Sequence, residues 1–272
     1  MLLPSFRNVG LLALGAFIAV RPALGIYDLS VPKDPLGDLK VTVDYSAATT
    51  WPKEQKANGR RAWQFSSHII FANPVGNSTN NHPAISDGQL WQISRDAVDE
   101  MVADRKQYGI SPQAEPTAMG ILAWGSEIIL SSSMKGGDSF FYEYEDGNTL
   151  VGQALQKCSI FSQKHKNDGS CAEPMSAHLY HQDSTRKPLK DELPRIGVWV
   201  KQGAQGWTKT DPCGTWDANL WGCDRFTEFM GMKPINNKTS LEPYTLATLA
   251  GGPTRIDQIQ LCGGATRLFW GN

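Results

Sequence analysis

Three cysteines constrain this chain more than anything else in it. Cys171 lies in Ser170-Cys171-Ala172-Glu173-Pro174, Cys213 follows Asp211-Pro212, and Cys223 follows Gly222. Cys171 and Cys223 each open a helical pattern, so a fold that gathers all three fixes how two helices meet. Thiolates at helix N-termini are stabilised by the unpaired N–H groups and the positive end of the helix dipole, which suits them to metal. Three protein ligands leave a tetrahedral zinc ion one open position, the mark of a reactive site. Two sulfurs on one ion stand about 3.7 Å apart. The nine residues between Cys213 and Cys223, bounded by Gly214 and Gly222, close over that distance at modest entropic cost.

The chain holds five cysteines, and an odd count in an exported chain requires an account. Disulfides alone leave one thiol over. If Cys171, Cys213 and Cys223 take zinc, Cys158 and Cys262 are left to pair. Two plainer readings stay open. Cys213 and Cys223 form an ordinary disulfide, and Ser170-x-x-Glu173 is a capping box in which Glu173 only serves the helix start. Pro174 weighs against the box, because with Cys171 as the cap it falls in the first turn, where proline is tolerated. His178 and His181 share a helix face and are a weaker metal pair.

Residues 1–25 read as a secretory leader: Arg7, an apolar run from Val9 to Val20, then small residues at Ala23-Leu24-Gly25. The run is too short to span a bilayer, so the chain is expected to be secreted, with no membrane segment after cleavage. Removing Arg7 and Arg21 leaves 24 Lys+Arg against 27 Asp+Glu, a net charge of −3. With no basic block, a long polyanion is not the expected partner. Asn77-Ser78-Thr79 and Asn237-Lys238-Thr239 are glycosylation sequons.

Residues 26–85 are β-leaning, with strand patterns at Lys40–Tyr45, Trp63–Phe65 and His68–Phe71. From 86 to 272 the pattern is α/β. A helix starts at Ser86–Asp87, with Asp87 as its expected cap, and runs to Tyr108. A hairpin joins Thr117–Trp124 to Glu127–Ser132 through Gly125-Ser126, with Glu127 expected to be solvated. Helices follow at Thr149–Ile160 and Cys171–His181, a strand at Ile196–Val200, a helix at Cys223–Met230 and a strand at Ile256–Leu261. This order predicts a mixed sheet covered by helices.

From Ser86 to Cys262 the chain resembles the cytidine deaminase-like superfamily. Cys171 and Glu173 match its C-x-E element, and Pro212, Cys213 and Cys223 match its P-C…C element, here with nine intervening residues where two are usual. The resemblance implies a three-layer α-β-α fold with a mixed central sheet, plus the N-terminal extension. It implies Zn2+ on Cys171, Cys213 and Cys223, with Glu173 moving protons. The reaction implied is loss of the exocyclic amine of a cytosine- or adenine-type base in a nucleoside or short single-stranded nucleic acid. An exported fungal member is implied, loosely related to deaminase toxin or effector domains. Trp124, Trp216 and Trp221 are candidates to stack on the base; hydrophobic anchoring is the alternative for all three. Two other outcomes stay open: a disulfide-stapled interaction module, and a zinc-binding fold without turnover.

Overall fold

The structure, a computed structural model, describes residues 27–53, 61–76, 85–137, 139–159, 165–214 and 221–271. The expected leader, the Asn77 sequon and Trp216 lie outside the described residues. No helix among the described residues is long and apolar enough to cross a membrane. The elements are β1 (Thr42–Val43), α1 (Tyr45–Thr50), β2 (Phe65–Phe71), α2 (Asp87–Gln107), β3 (Ala118–Trp124), β4 (Glu127–Ser132), α3 (Phe140–Glu143) and α4 (Leu150–Cys158). There follow α5 (Ala172–His181), α6 (Leu189–Glu192), β5 (Arg195–Lys201), β6 (Trp207–Thr210), α7 (Cys223–Phe229), β7 (Lys233–Pro234), β8 (Pro253–Gln258) and β9 (Arg267–Gly271).

The strands make one sheet in the order β6-β5-β3-β4-β2-β8-β9, with β1 beside β2 and β7 beside β5. Every pairing is antiparallel except β5 with β7. The alternation of side chains along a strand then assigns the two faces. Ile121 and Leu130 pack with Trp91 and Met101 of α2. Leu122 and Ile129 pack on the other side with Met175 of α5, Leu155 of α4 and Phe226 of α7. The protein is therefore α/β, with helices on both faces of a mixed sheet. Truncating a residue such as Ile129, which has no exposure, to alanine removes about 2–5 kcal/mol through lost burial and the cavity left behind.

Segment 26–85 is part of the sheet and not an appendage. Its β2 lies between β4 and β8 and is buried at every position but Ile70. A strand covered on both faces loses the apolar–polar alternation that marks a half-exposed one, so Phe65–Phe71 gave a weak strand pattern in the sequence. Helix α2 is capped by Ser86, not by Asp87 as expected: the Ser86 hydroxyl accepts from Gln89 N–H while the Gln89 side chain returns to Ser86 N–H.

Glu127 is half-buried and paired, in contrast to the solvated turn residue expected. Its Oε2 lies 2.7 Å from His68 Nε2 and 2.6 Å from the Arg186 guanidinium. The other ring nitrogen of His68, Nδ1, lies 2.9 Å from Asp257 Oδ1 on β8. Two carboxylates on one imidazole are both satisfied only when both nitrogens carry protons. Burial alone would lower the His68 pKa, but the hydrogen bonds to Asp257 and Glu127 outweigh it and raise it above the ordinary value. A pKa raised by folding contributes stability that is fully present below the unfolded value of about 6.5 and is lost as pH rises through the folded value. Thermal melts from about pH 5 to about pH 9 are expected to show this loss in the wild type. His68→Gln should be less stable at the acid end and show less pH dependence; equal slopes for the two proteins would remove the clasp from the account.

Candidate metal centre

The site forms where three loops and two helix starts meet at one end of β3. Gly120 of β3 lets the first turn of α5 settle directly on the sheet, since a Cβ there would stand 3.0 Å from Ala172 Cβ. Cys171 is the N-cap of α5, so the capping-box reading with Ser170 as the cap does not hold. Ser170 instead accepts a hydrogen bond from Met134 N–H through its carbonyl, at 3.0 Å. Strand β6 delivers the chain to Cys213, and Cys223 opens α7. The Cys213 carbonyl accepts from Asp224 N–H at 3.0 Å, which closes the long excursion between the two cysteines.

Gly222 is the contact point of that closure. A Cβ at this position would overlap the Cys213 carbonyl and lie 2.9 Å from Cys213 Sγ. Gly222→Ala is therefore expected to weaken metal binding by about 10- to 100-fold, the range seen when the surroundings of ligands are disturbed. Competition with a chromogenic chelator measures it, and unchanged affinity would mean that the loop relaxes without cost.

The ligating atoms of His165, Cys171, Cys213 and Cys223 all lie within 4.8 Å of one another. The Cys171 and Cys213 sulfurs are 3.7 Å apart, the separation that two zinc–sulfur bonds of about 2.3 Å impose at a tetrahedral centre. His165 Nε2 stands 3.4 Å from Cys223 Sγ and 3.8 Å from Cys213 Sγ. The cluster is thus of a kind that holds a metal ion. The sulfurs also receive hydrogen bonds: Asn167 Nδ2 donates to Cys171 at 3.1 Å, and Cys223 N–H donates to Cys213 at 3.3 Å. Hydrogen bonds from Cys171, Cys223 and His165 hold the Cys213 thiol far below its usual range, while Cys171 and Cys223 are pushed up.

Glu173, in the first turn of α5, is only 3 % exposed. Burial, followed by the negative charge of Cys213, pushes its carboxyl up to about 7. A cavity of about 360 Å³ reaches Cys171, Cys213 and Glu173 together. Ser133, Lys135 and Thr210 give it a polar wall, and Val198 and Val200 an apolar one. Its size suits a small organic ligand.

The sequence expectations divide cleanly here. Cys171, Cys213, Cys223 and Glu173 come together as expected. His165 was missed: it sits in a polar loop between two lysines, where no periodicity marks it, and only its position six residues before Cys171 hinted at a role. Trp124 does not reach the cavity. It stands at the hairpin end of β3, six residues from Ala118 at the cavity end, a separation of about 20 Å along a strand. There it stacks on His68 and lies under the Arg186 guanidinium. Trp221 is buried behind the cluster, edge-on to His165 at 5.1 Å, in the anchoring role. All five cysteines are free thiols, so neither the Cys158–Cys262 nor the Cys213–Cys223 disulfide forms. Cys158 faces the Arg225 carbonyl, whereas Cys262 lies beside Ser46, Thr50 and Tyr144. His178 is no ligand: it is buried against the Leu261 carbonyl, and burial takes its pKa down to about 4.

Comparison of this chain with protein-family models, with curated proteins and with solved structures finds no match.

Proposed function

We propose that this chain is an exported zinc-dependent deaminase of the cytidine deaminase-like type. It would act on a cytosine- or adenine-type base in a nucleoside or a short single-stranded nucleic acid. The observation that carries the reading is the position of Glu173: a buried carboxyl, two residues after Cys171, opening onto the same cavity as two of the three thiols. The order of elements supports it, with α2, the β3–β4 hairpin, α5 behind Cys171, β5, α7 behind Cys223, and β7 parallel to β5.

Cys171, Cys213 and Cys223 would hold the ion. When bound there, zinc supplies the Lewis acidity that brings water to deprotonation near neutral pH. Glu173 would take one proton from the attacking water and deliver it to the ring nitrogen, then carry the remaining proton of the new hydroxyl to the amine, which leaves as ammonia while the carbonyl forms. Lys135 and Ser133, on the cavity wall, would offer hydrogen bonds to the part of the substrate outside the reacting ring. The net charge of about −3 expected for the mature chain favours a small or short substrate over a long polyanion.

A second reading is supported by one observation, the presence of His165 within ligand distance of two thiols. Four protein ligands would close the zinc and make the centre a structural knot. The two readings part on one experiment. Zinc-loaded protein is incubated with cytosine- and adenine-containing nucleosides and short single strands, and ammonia release is followed. Turnover with about one zinc per chain supports the deaminase. One zinc per chain with no ammonia from any substrate favours the knot, and absence of zinc overturns both.

A further inference from the structure

His165 has a second set of contacts that determines what it does in the cluster. Its Nδ1 accepts hydrogen bonds from two backbone N–H groups, Asn167 at 3.1 Å and Gly169 at 3.3 Å. A nitrogen that accepts two N–H bonds carries no proton of its own. A neutral imidazole has one N–H, so that proton resides on Nε2. The Nε2 atom is the one that faces the sulfurs, 3.4 Å from Cys223 and 3.8 Å from Cys213. A protonated ring nitrogen has no lone pair for a metal. Histidine ligands to metals show the reverse arrangement, in which the non-ligating nitrogen donates to a carbonyl or carboxylate. Here the described backbone offers that nitrogen two donors.

We infer that His165 is a hydrogen-bond donor to the metal-binding thiolates and not a fourth ligand, so that the protein supplies three ligands only. This inference rests on the proposed metal site and deepens it. The surroundings agree with the donor role. The ring is 2 % exposed and lies edge-on to Trp221, with no place among the walls of the cavity that reaches Cys171, Cys213 and Glu173. Two neighbouring backbone groups fix its place. His165 N–H donates to the Tyr142 hydroxyl at 2.9 Å, and Lys166 N–H donates to the Trp221 carbonyl at 3.2 Å. A buried trithiolate centre carries excess negative charge even with a dication bound. The Nε2–H of His165, Asn167 Nδ2 and Cys223 N–H are the donors that offset it, as charge-assisted hydrogen bonds do at a low-dielectric site. His165 is in this sense a positioning residue. It sets the direction and basicity of two sulfurs from the side away from the cavity.

The test reads the ring directly. The zinc-loaded full chain, labelled with 15N at histidine, is examined by NMR for the tautomer of His165. The inference expects a proton on Nε2 and a bare Nδ1. A proton on Nδ1 with Nε2 on the metal overturns it and makes the centre a closed four-ligand site. X-ray absorption at the zinc edge gives an independent reading on the wild type and His165→Gln. Sulfur scattering without an imidazole pattern, the same in both proteins, supports the donor role. An imidazole pattern in the wild type that vanishes in His165→Gln overturns it. The wild-type sample separates this from failure of the metal reading: protein that holds no zinc at all loses the site and the inference together, whereas zinc on a bound imidazole loses the inference alone.

Discussion

Cys213→Ser is expected to take the protein from about one bound zinc per chain to none. The reason lies in how many parts of the site this sulfur joins. It stands 3.7 Å from Cys171 Sγ and 3.8 Å from His165 Nε2, and it accepts from Cys223 N–H at 3.3 Å. Hydrogen bonds with Cys171, Cys223 and His165 hold its pKa below the usual thiol range. A serine hydroxyl is shorter, stays protonated near neutral pH and is a harder ligand than zinc prefers. The loss should extend to stability. Zinc bound by a folded site contributes of the order of 10 kcal/mol to the folded state in small zinc domains. Here a bound ion would join the starts of α5 and α7 to the end of β6, so melting of the wild type in chelator should converge on the Cys213→Ser value. Elemental analysis beside thermal melts, with and without chelator, measures both. Full zinc occupancy in the variant, or identical melting with and without chelator, would refute a centre built on Cys213.

What the sequence revealed about this site follows from which interactions are local. Cys171 and Cys223 were legible because each precedes a helical pattern, and the hairpin was legible because Gly125-Ser126 separates two apolar runs of the right length. Those signals lie within about ten residues. His165 was not legible, because its role depends on a backbone loop that turns Asn167 and Gly169 N–H onto its Nδ1. Glu127 was misread for the same kind of reason. A carboxylate next to a hairpin turn is ordinarily solvated, but two partners distant in sequence, His68 and Arg186, enclose this one. Trp124 illustrates the limit of aromatic content as a sign of stacking sites: its place on β3 turns it toward Tyr180 and Arg186, at the wrong end of the strand. The short edge strands β6, β7 and β9 had no alternation strong enough to be seen, because strands this short show few repeats of the pattern.

Glu173→Gln is expected to keep the zinc and lose turnover by about 100- to 10,000-fold, the usual contribution of a positioned acid–base group. Glutamine has the same shape and fills the same buried space at the first turn of α5, so neither the cap at Cys171 nor the packing on Gly120 changes. What it cannot do is exchange a proton. Burial, followed by the negative charge of Cys213, holds the Glu173 carboxyl at about 7; a dication beside it would draw that value down, toward the ionised form that accepts a proton. The loss should fall on kcat with KM little altered, because the proton moves in the transition state and not on binding. Metal analysis and steady-state kinetics on the same preparation separate the alternatives. Zinc lost along with turnover would make Glu173 part of the scaffold of the cluster. Turnover undiminished would leave the proton transfer to another group and remove the observation on which the deaminase reading stands.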